Sequence, residues 1–294
     1  MELRVLRYFL TIAREGSITN AANALHVTQP TLSRQIRDLE EELGQTLFVR
    51  GSHSVTLTPE GMLLRKRAEE IIDLVSKTEQ EFAQTEETLS GDVYIGAGET
   101  VGVHVLTRAA RRLQEAFPAV HFHISSGDTT DVREELDKGL IDFGLLFAPV
   151  DLARYNAIRL PYRDTWGVLM RRDCPLAGKE TVCLKDLETQ PLIVSRQVLK
   201  TNRLQAWFGD AARQLQVAGT YSLVFNGSLM VEDGMGCALC LDNIINVAGS
   251  DTLCFRPLEP RREAEMFIIW KKYQIFSRAA ERFLEVLKEM EKDA

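Results

Sequence analysis

The sequence predicts an α+β multidomain chain: a small helical domain with a helix–turn–helix, one long helix, and a larger region of two α/β halves. Three observations carry this. Residues 1–60 hold short runs with apolar residues at helical spacing, punctuated by Gly16 and Gly44. From Pro59 to about Leu89 a spacing of three and four persists for more than three heptads. Beyond Ser90–Gly91, β-prone runs alternate with helical ones.

The first helix carries Leu3, Leu6, Phe9, Leu10 and Ala13 on one face and stops at Gly16. Ser17 can cap a second helix, with Ala21, Ala22 and Leu25 inward. Thr28 can cap a third, with Pro30 in its first turn, where a missing N–H costs nothing. That helix lines up Leu32, Ile36, Leu39 and Leu43 and ends at Gly44. Thr46–Val49 and Val55–Thr58 then form a hairpin candidate around 50–54. In the long helix Leu64, Ala68, Ile71, Val75, Thr78, Phe82 and Leu89 make a seam between charged flanks. Such a stripe needs covering; a partner helix is the favoured cover, this chain's own core the alternative.

The α/β region opens with strands over Val93–Ala97, Val120–Ser125 and Ile141–Leu146, separated by helical segments near 102–116 and 129–138. A second set follows: strands Trp166–Met170, Leu192–Val194, Tyr221–Phe225 and Cys237–Leu241, with helices near Arg203–Leu215 and Ser228–Asp233. Strand Met266–Trp270 and an amphipathic helix from Phe276 to Met290 close the chain.

Bulk properties set limits. At 294 residues the chain exceeds one ordinary core, and its 45% hydrophobic and 26% charged content is that of a globular protein. The N-terminus has no signal-peptide pattern and no run reaches the ~18 apolar residues of a membrane span. Five cysteines without such a signal suit reduced thiols, so a cytoplasmic location is expected. A net charge of −7 leaves any nucleic-acid binding to the placement of particular cations.

In a helix–turn–helix one helix enters the major groove while the other braces it. With Leu32, Ile36 and Leu39 buried, the third helix turns Gln29, Pro30, Thr31, Ser33, Arg34 and Arg37 outward. Gln and Arg can each make two bonds to a base edge, and Ser and Thr can hold phosphates. Arg50 and His53 at the hairpin tip could reach a phosphate or the minor groove. The rival reading is a helical interaction domain with a solvated polar face.

The residues themselves decide between these. Phe9-Leu-Thr-Ile-Ala-Arg-Glu-Gly-Ser-Ile-Thr-Asn-Ala-Ala22, Leu25-His-Val-Thr-Gln-Pro-Thr-Leu-Ser-Arg-Gln-Ile36, Leu47-Phe-Val-Arg50 and Leu57-Thr-Pro-Glu-Gly61 resemble LysR-type transcriptional regulators. The resemblance implies a winged helix–turn–helix over 1–60, a linker helix over 61–90 that dimerises, and an effector-binding domain over 91–294. That domain would have a periplasmic-binding-protein-like fold, with subdomain I at about 91–161 plus 267–294 and subdomain II at about 162–266. It further implies a homodimer or homotetramer on double-stranded promoter DNA, controlled by a small effector between the subdomains.

In open α/β sheets ligands sit at the carboxyl ends of strands. Here those ends carry Gly98–Gly102, Ser126–Thr129, Ser195-Arg196 and Asn226–Ser228. The resemblance points to Thr100 and Ser195 as effector contacts; Val101, Thr129, Arg196 and Asn226 are further candidates. Ser, Thr and Asn there are equally suited to capping helices. Glu99 and Asp128 near the mouth oppose a strongly anionic ligand while Arg196 pulls the other way, so a small polar metabolite with at most one carboxylate is expected.

Val231–Leu241 resembles the family's Gly-x-Gly strand opening, with Leu241 where a proline is usual. Cys237 and Cys240 form a C-x-x-C, but zinc needs about four ligands and nothing completes the set, so buried structural cysteines are expected. His121 and His123 could share a strand face; with no carboxylate partner evident, burial in the strand is expected. No metal spacing and no nucleophile–base pair stands out, so neither catalysis nor a cofactor is expected. A solute-binding protein would share the α/β halves but would have no use for residues 1–89.

Overall fold

The structure, a computed structural model, describes residues 1–51, 54–83 and 89–292. The chain divides into two units, Met1–Gln84 and Thr85–Ala294.

In the N-terminal unit α1 (Leu3–Glu15) ends at Gly16, whose φ of +61° turns the chain out of the helix while its N–H still bonds Ile12. The Ser17 hydroxyl accepts the Asn20 N–H and starts α2 (Ile18–Ala24). The turn into α3 (Gln29–Leu43) runs through His26 at φ +55°, and the Val27 N–H closes back on Ala22 O at 3.0 Å. Thr28 precedes α3 as expected, but its hydroxyl meets that of Thr31 at 2.8 Å instead of capping the backbone. Leu32, Ile36 and Leu39 are fully buried against Leu6, Phe9, Ile12, Ala21 and Ala22. Each is worth roughly 1.5–3 kcal/mol over exposure, which fixes the roll of α3 about its axis.

Strands β1 (Phe48–Arg50) and β2 (Val55–Leu57) form the hairpin, Arg50 opposite Val55. The Glu40 carboxylate on α3 accepts the Leu47 N–H at 2.8 Å and the Phe48 N–H at 3.2 Å, and Phe48 packs on Phe9. The hairpin is thereby tied to the helix beside it.

The long helix α4 runs Pro59–Ala83, its first turn capped by Thr58 Oγ1 accepting from Gly61 N–H at 2.9 Å. Ala68 is fully buried, and Leu64, Ile71 and Ile72 pack on the core of this same unit. The first half of the seam packs on the chain's own domain, the alternative cover. Among the described residues of α4, the large apolar side chains left open are Met62, Leu63 and Leu74, at 62%, 61% and 42% exposure.

The second unit has β3 (Gly91–Ala97), α5 (Val103–Ala116), β4 (Val120–Ser126), α6 (Thr129–Lys138) and β5 (Phe143–Phe147) in βαβαβ order, β3 lying parallel to both β4 and β5. The chain then enters β6 (Tyr155–Arg171), 17 residues long, which crosses to the other half. There follow β7 (Val182–Cys183), α7 (Leu184–Leu187), β8 (Pro191–Ser195), α8 (Arg196–Lys200), α9 (Arg203–Phe208), β9 (Gln216–Tyr221), α10 (Val224–Glu232), β10 (Cys237–Leu241) and β11 (Leu253–Glu259). β12 (Glu263–Lys271) returns to the first half, and α11 (Arg278–Lys292) covers it. The strand order is β4-β3-β5-β12-β6-β10-β8-β9.

β6 pairs with β12 over Tyr155–Thr165, then with β10 and β11 over Trp166–Arg171. Midway, Glu265 faces Arg163 while Phe267 faces Arg159, so two steps on β12 span four on β6. Pro161, which has no N–H to give, sits in that irregularity.

Four readings of this unit change. The strand expected at Tyr221–Phe225 ends at Tyr221, and Val224 and Phe225 begin α10, so Asn226-Gly227-Ser228 lies within a helix. The helix near Arg203–Leu215 holds only to Phe208 and continues as a 3-10 turn to Gln214. β11 and the first half of β6 were not foreseen: Pro257, Pro161 and interleaved arginines obscure their alternation. His121 and His123 are exposed, and His123 Nε2 meets Asp92 Oδ1 at 3.0 Å across adjacent strands.

An added Cβ at Gly61 would lie 2.1 Å from Leu47 O. We expect Gly61→Ala to destabilise the N-terminal unit by roughly 1–3 kcal/mol despite alanine's better helix propensity, measured as a lower urea midpoint.

Candidate functional site

Two surfaces concern function, one on each unit. On α3, Gln29, Pro30, Thr31, Arg34 and Arg37 are exposed and Ser33 is half-buried. The Gln29 side-chain amide donates to Ser33 Oγ at 3.0 Å, and Arg34 lies 3.9 Å from Asp38, a long contact with the arginine 81% exposed. A surface pair of that kind contributes little and is easily exchanged for a phosphate or base edge. α3 therefore presents a polar row backed by a fully apolar one. Arg50 closes β1 at the hairpin. His53 lies outside the described residues.

In the second unit a cavity of about 360 Å³ lies at the carboxyl ends of β3, β4, β5 and β8. Gly98, Glu99, Ser126–Asp128 and Phe147 line it from one half; Ser195–Val198, Lys200, Arg203 and Tyr221–Val224 line it from the other. Polar contacts join the two walls. Lys200 Nζ donates to Asp128 Oδ2 at 3.0 Å, the Gln197 amide donates to Thr129 Oγ1, and the Val224 N–H donates to Glu99 Oε2. Asp128 also caps α6 by accepting the Thr130 and Asp131 N–H groups. Burial alone would raise the Asp128 carboxyl, but the Lys200 ammonium and those two N–H groups bring it below its usual range. Glu99 goes the other way: burial raises it, only partly offset by the N–H groups of Val224 and Phe225.

Of the six expected ligand contacts, Ser195 and Arg196 line the cavity; Thr100, Val101, Thr129 and Asn226 do not. Thr100 is buried, its hydroxyl donating to Asp164 Oδ2 at 2.5 Å and accepting the Gly102 N–H at 3.0 Å. Thr129 serves the Gln197 contact, and Asn226 is exposed on α10. The sequence reading missed Arg203, Trp166 and Tyr221 in the lining. Trp166 and Tyr221 read as ordinary strand residues and Arg203 as a helix surface; only the crossing of β6 and the end of β9 aim them at the cavity.

Strand β10 opens as its Gly-x-Gly suggests: Gly236 sits at φ +151°, and an added Cβ there would fall 2.2 Å from Pro191 O. Cys237 and Cys240 are both buried. The sulfur facing Cys237 belongs to Cys174, 3.8 Å away, and burial pushes the Cys237 and Cys240 thiols up to about 12. Thiols kept protonated this firmly are poor nucleophiles.

The comparisons agree with this two-unit arrangement. Residues 3–62 match the description "Bacterial regulatory helix-turn-helix protein, lysR family", and residues 86–292 match "LysR substrate binding domain". The chain belongs to the LysR family. It is thus a DNA-binding transcriptional regulator with a substrate-binding effector domain. Among its relatives it is 30% identical to the transcriptional activator IlvY of Salmonella typhimurium, over 82% of each chain. It is 26% identical to the regulator YvbU of Bacillus subtilis, over 99% of each. It is 33% identical to the regulator OxyR of Escherichia coli over 66% of this chain, a stretch spanning 63% of OxyR. The fold matches that of CbnR solved with its target DNA, with a TM-score of 0.75, 19% identity and coverage of 98% of this chain and 99% of that one.

Asp164, buried on β6 with Oδ1 unpartnered, is raised to about 6, first by burial and then by nearby Asp242, against the lowering effect of the Thr100 bond. Unfolded, it ionises near 3.8. A proton held more tightly when folded stabilises fully below the unfolded value, and that stabilisation is lost as the pH rises through about 6. The loss is on the order of 3 kcal/mol. Asp164→Asn should flatten this part of the curve, read as the urea midpoint between pH 4 and 7.5.

Proposed function

We propose that this LysR-family regulator works in the cytoplasm as an oligomer, reads promoter DNA with the outward row of α3, and responds to a small metabolite in the cavity of its second unit. The observation that carries the reading is the division of α3: Leu32, Ile36 and Leu39 fully buried on one side, Gln29, Thr31, Arg34 and Arg37 open on the other. In this scheme Gln29 and Arg34 contact base edges, Thr31, Ser33 and Arg37 hold the backbone, and Pro30 sets the first turn. Arg50 and His53 reach the flanking phosphates or minor groove.

Ser195 and Arg196 remain the ligand contacts of this reading; Thr100, Val101, Thr129 and Asn226 act through the walls that carry them. The cavity's acids are engaged by N–H groups or by Lys200 rather than set beside a nucleophile, which favours binding over catalysis. Among the described residues no helix is long and apolar enough to cross a membrane, in keeping with a cytoplasmic site. OxyR is described as a hydrogen-peroxide-inducible genes activator in related strains. A peroxide response through a thiolate is disfavoured at Cys237, whose thiol burial keeps protonated.

Arg34→Ala should cost roughly 1–3 kcal/mol of specific promoter affinity, about 5- to 150-fold, with little change on random duplex. Band-shift titration of both DNAs checks this, and equal losses on the two would contradict base reading by Arg34. For assembly, the open apolar side chains of α4 are the proposed contact. The double variant Leu63→Glu/Leu74→Glu should fall to one-chain mass by light scattering. Ile71→Glu should instead lower the stability of the N-terminal unit, since Ile71 packs on its own core.

A further inference from the structure

Three cations line the cavity: Arg196, Lys200 and Arg203. Lys200 is committed to Asp128 at 3.0 Å, and Arg196 is exposed at the rim. Arg203 differs from both. Its guanidinium carbon lies 5.4 Å from the centre of the Trp166 ring and 5.7 Å from that of Trp207. The two indoles stand edge to face with centres 5.0 Å apart. Two ring faces hold the guanidinium in one orientation, which removes most of the entropy an arginine normally loses on binding. Arg203 is half-buried, and among the described residues it has no hydrogen-bond or ion-pair partner. Burial alone lowers its pKa, with no neighbouring carboxylate to restore it.

The acids of the same cavity are already engaged. Glu99 accepts the Val224 N–H, Asp128 is bonded to Lys200 and to its own helix, and Asp131 accepts the Asp128 N–H at 3.0 Å. Acids and cations of the wall are equal in number, but none of the three acids is set against Arg203. Beside the polar groups, Phe147, Leu241 and Ile244 and the ring of Tyr221 give the space an apolar side.

We propose that Arg203 is the anion-recognising residue of this cavity and that the ligand is a small monocarboxylate with an apolar body. This rests on the cavity being the ligand site. A guanidinium fork matches a carboxylate with two parallel N–H donations, and the flanking indoles keep that fork flat. A second carboxylate would be driven toward Glu99, Asp128 and Asp131, so dianions are selected against.

The test is calorimetric titration and thermal shift on the full chain with three sets of probes: C4–C9 monocarboxylic acids including 3-phenylpropanoate and 4-methylpentanoate, their primary amides, and dicarboxylates of the same lengths. Monocarboxylates should bind at least ten times more tightly than the matching amides and dianions. Arg203→Gln should abolish that preference, and Arg203→Lys, which keeps the charge but loses the fork, should weaken binding several-fold. Circular dichroism of the free variants checks that both fold. If Arg203→Gln fails to fold, the Lys variant and the acid-to-amide ratio decide. The proposal is overturned if no monocarboxylate binds, if amides bind as well as acids, or if Arg203→Gln folds and keeps the preference. Ser222→Trp, which fills the cavity from an exposed lining position, separates the two levels. Monocarboxylate binding lost in Ser222→Trp but retained in Arg203→Gln overturns only the role of Arg203. Binding retained in both overturns the cavity as the ligand site and the proposal with it.

Discussion

Strand β6 is the constraint on which the second unit depends. A strand of 17 residues needs backbone partners along its whole length, and no single half supplies them. Over Tyr155–Thr165 they come from β12, and from Trp166 onward from β10 and β11. The two halves are thereby hydrogen-bonded to one continuous backbone, with the cavity where their parallel strands end. Pro161 and the four-against-two step beside it interrupt the ladder midway, close to Asp164 and Thr100. The same crossing carries Trp166 from a strand interior to the cavity wall. Had β6 stopped at Thr165, the halves would lose the strand they share and Arg203 would lose one of its two indole faces.

A comparable division of labour governs α3. Three buried side chains hold the helix in one rotation, and the Glu40 carboxylate fastens the hairpin to it through the Leu47 and Phe48 N–H groups. The polar row is rigid because the apolar row behind it is. An arginine 81% exposed beside a 3.9 Å ion pair is cheap to redirect. Stability therefore resides in one row of this helix, which leaves the other row free for the DNA contacts proposed for it.

The cavity is organised by satisfaction of charge. Glu99 and Asp128 looked from the sequence like free acids that would repel an anion; in three dimensions both are engaged across the cavity, Asp128 by the Lys200 ammonium and Glu99 by the Val224 N–H. The balance therefore passes to Arg203, whose neighbours are rings and not carboxylates. Thr100 shows the reverse: its hydroxyl is turned inward, donating to Asp164 and accepting from Gly102.

By itself the sequence determined the elements whose signals are local. Glycine stops, the Ser17 cap, the spacing of Leu32, Ile36 and Leu39, and the βαβαβ alternation from Val93 to Leu146 depend on neighbours a few residues away. The helix–turn–helix and its outward row were legible for that reason. Tertiary structure decided what depends on distant partners. It set which side of α4 is covered by its own domain, which cysteine faces Cys237, and where His123 finds Asp92. It also brought Trp166, Trp207 and Arg203 together from separate elements. No local pattern encodes such meetings, because a side chain's partner at long range is set by how strands cross and not by the residues beside it.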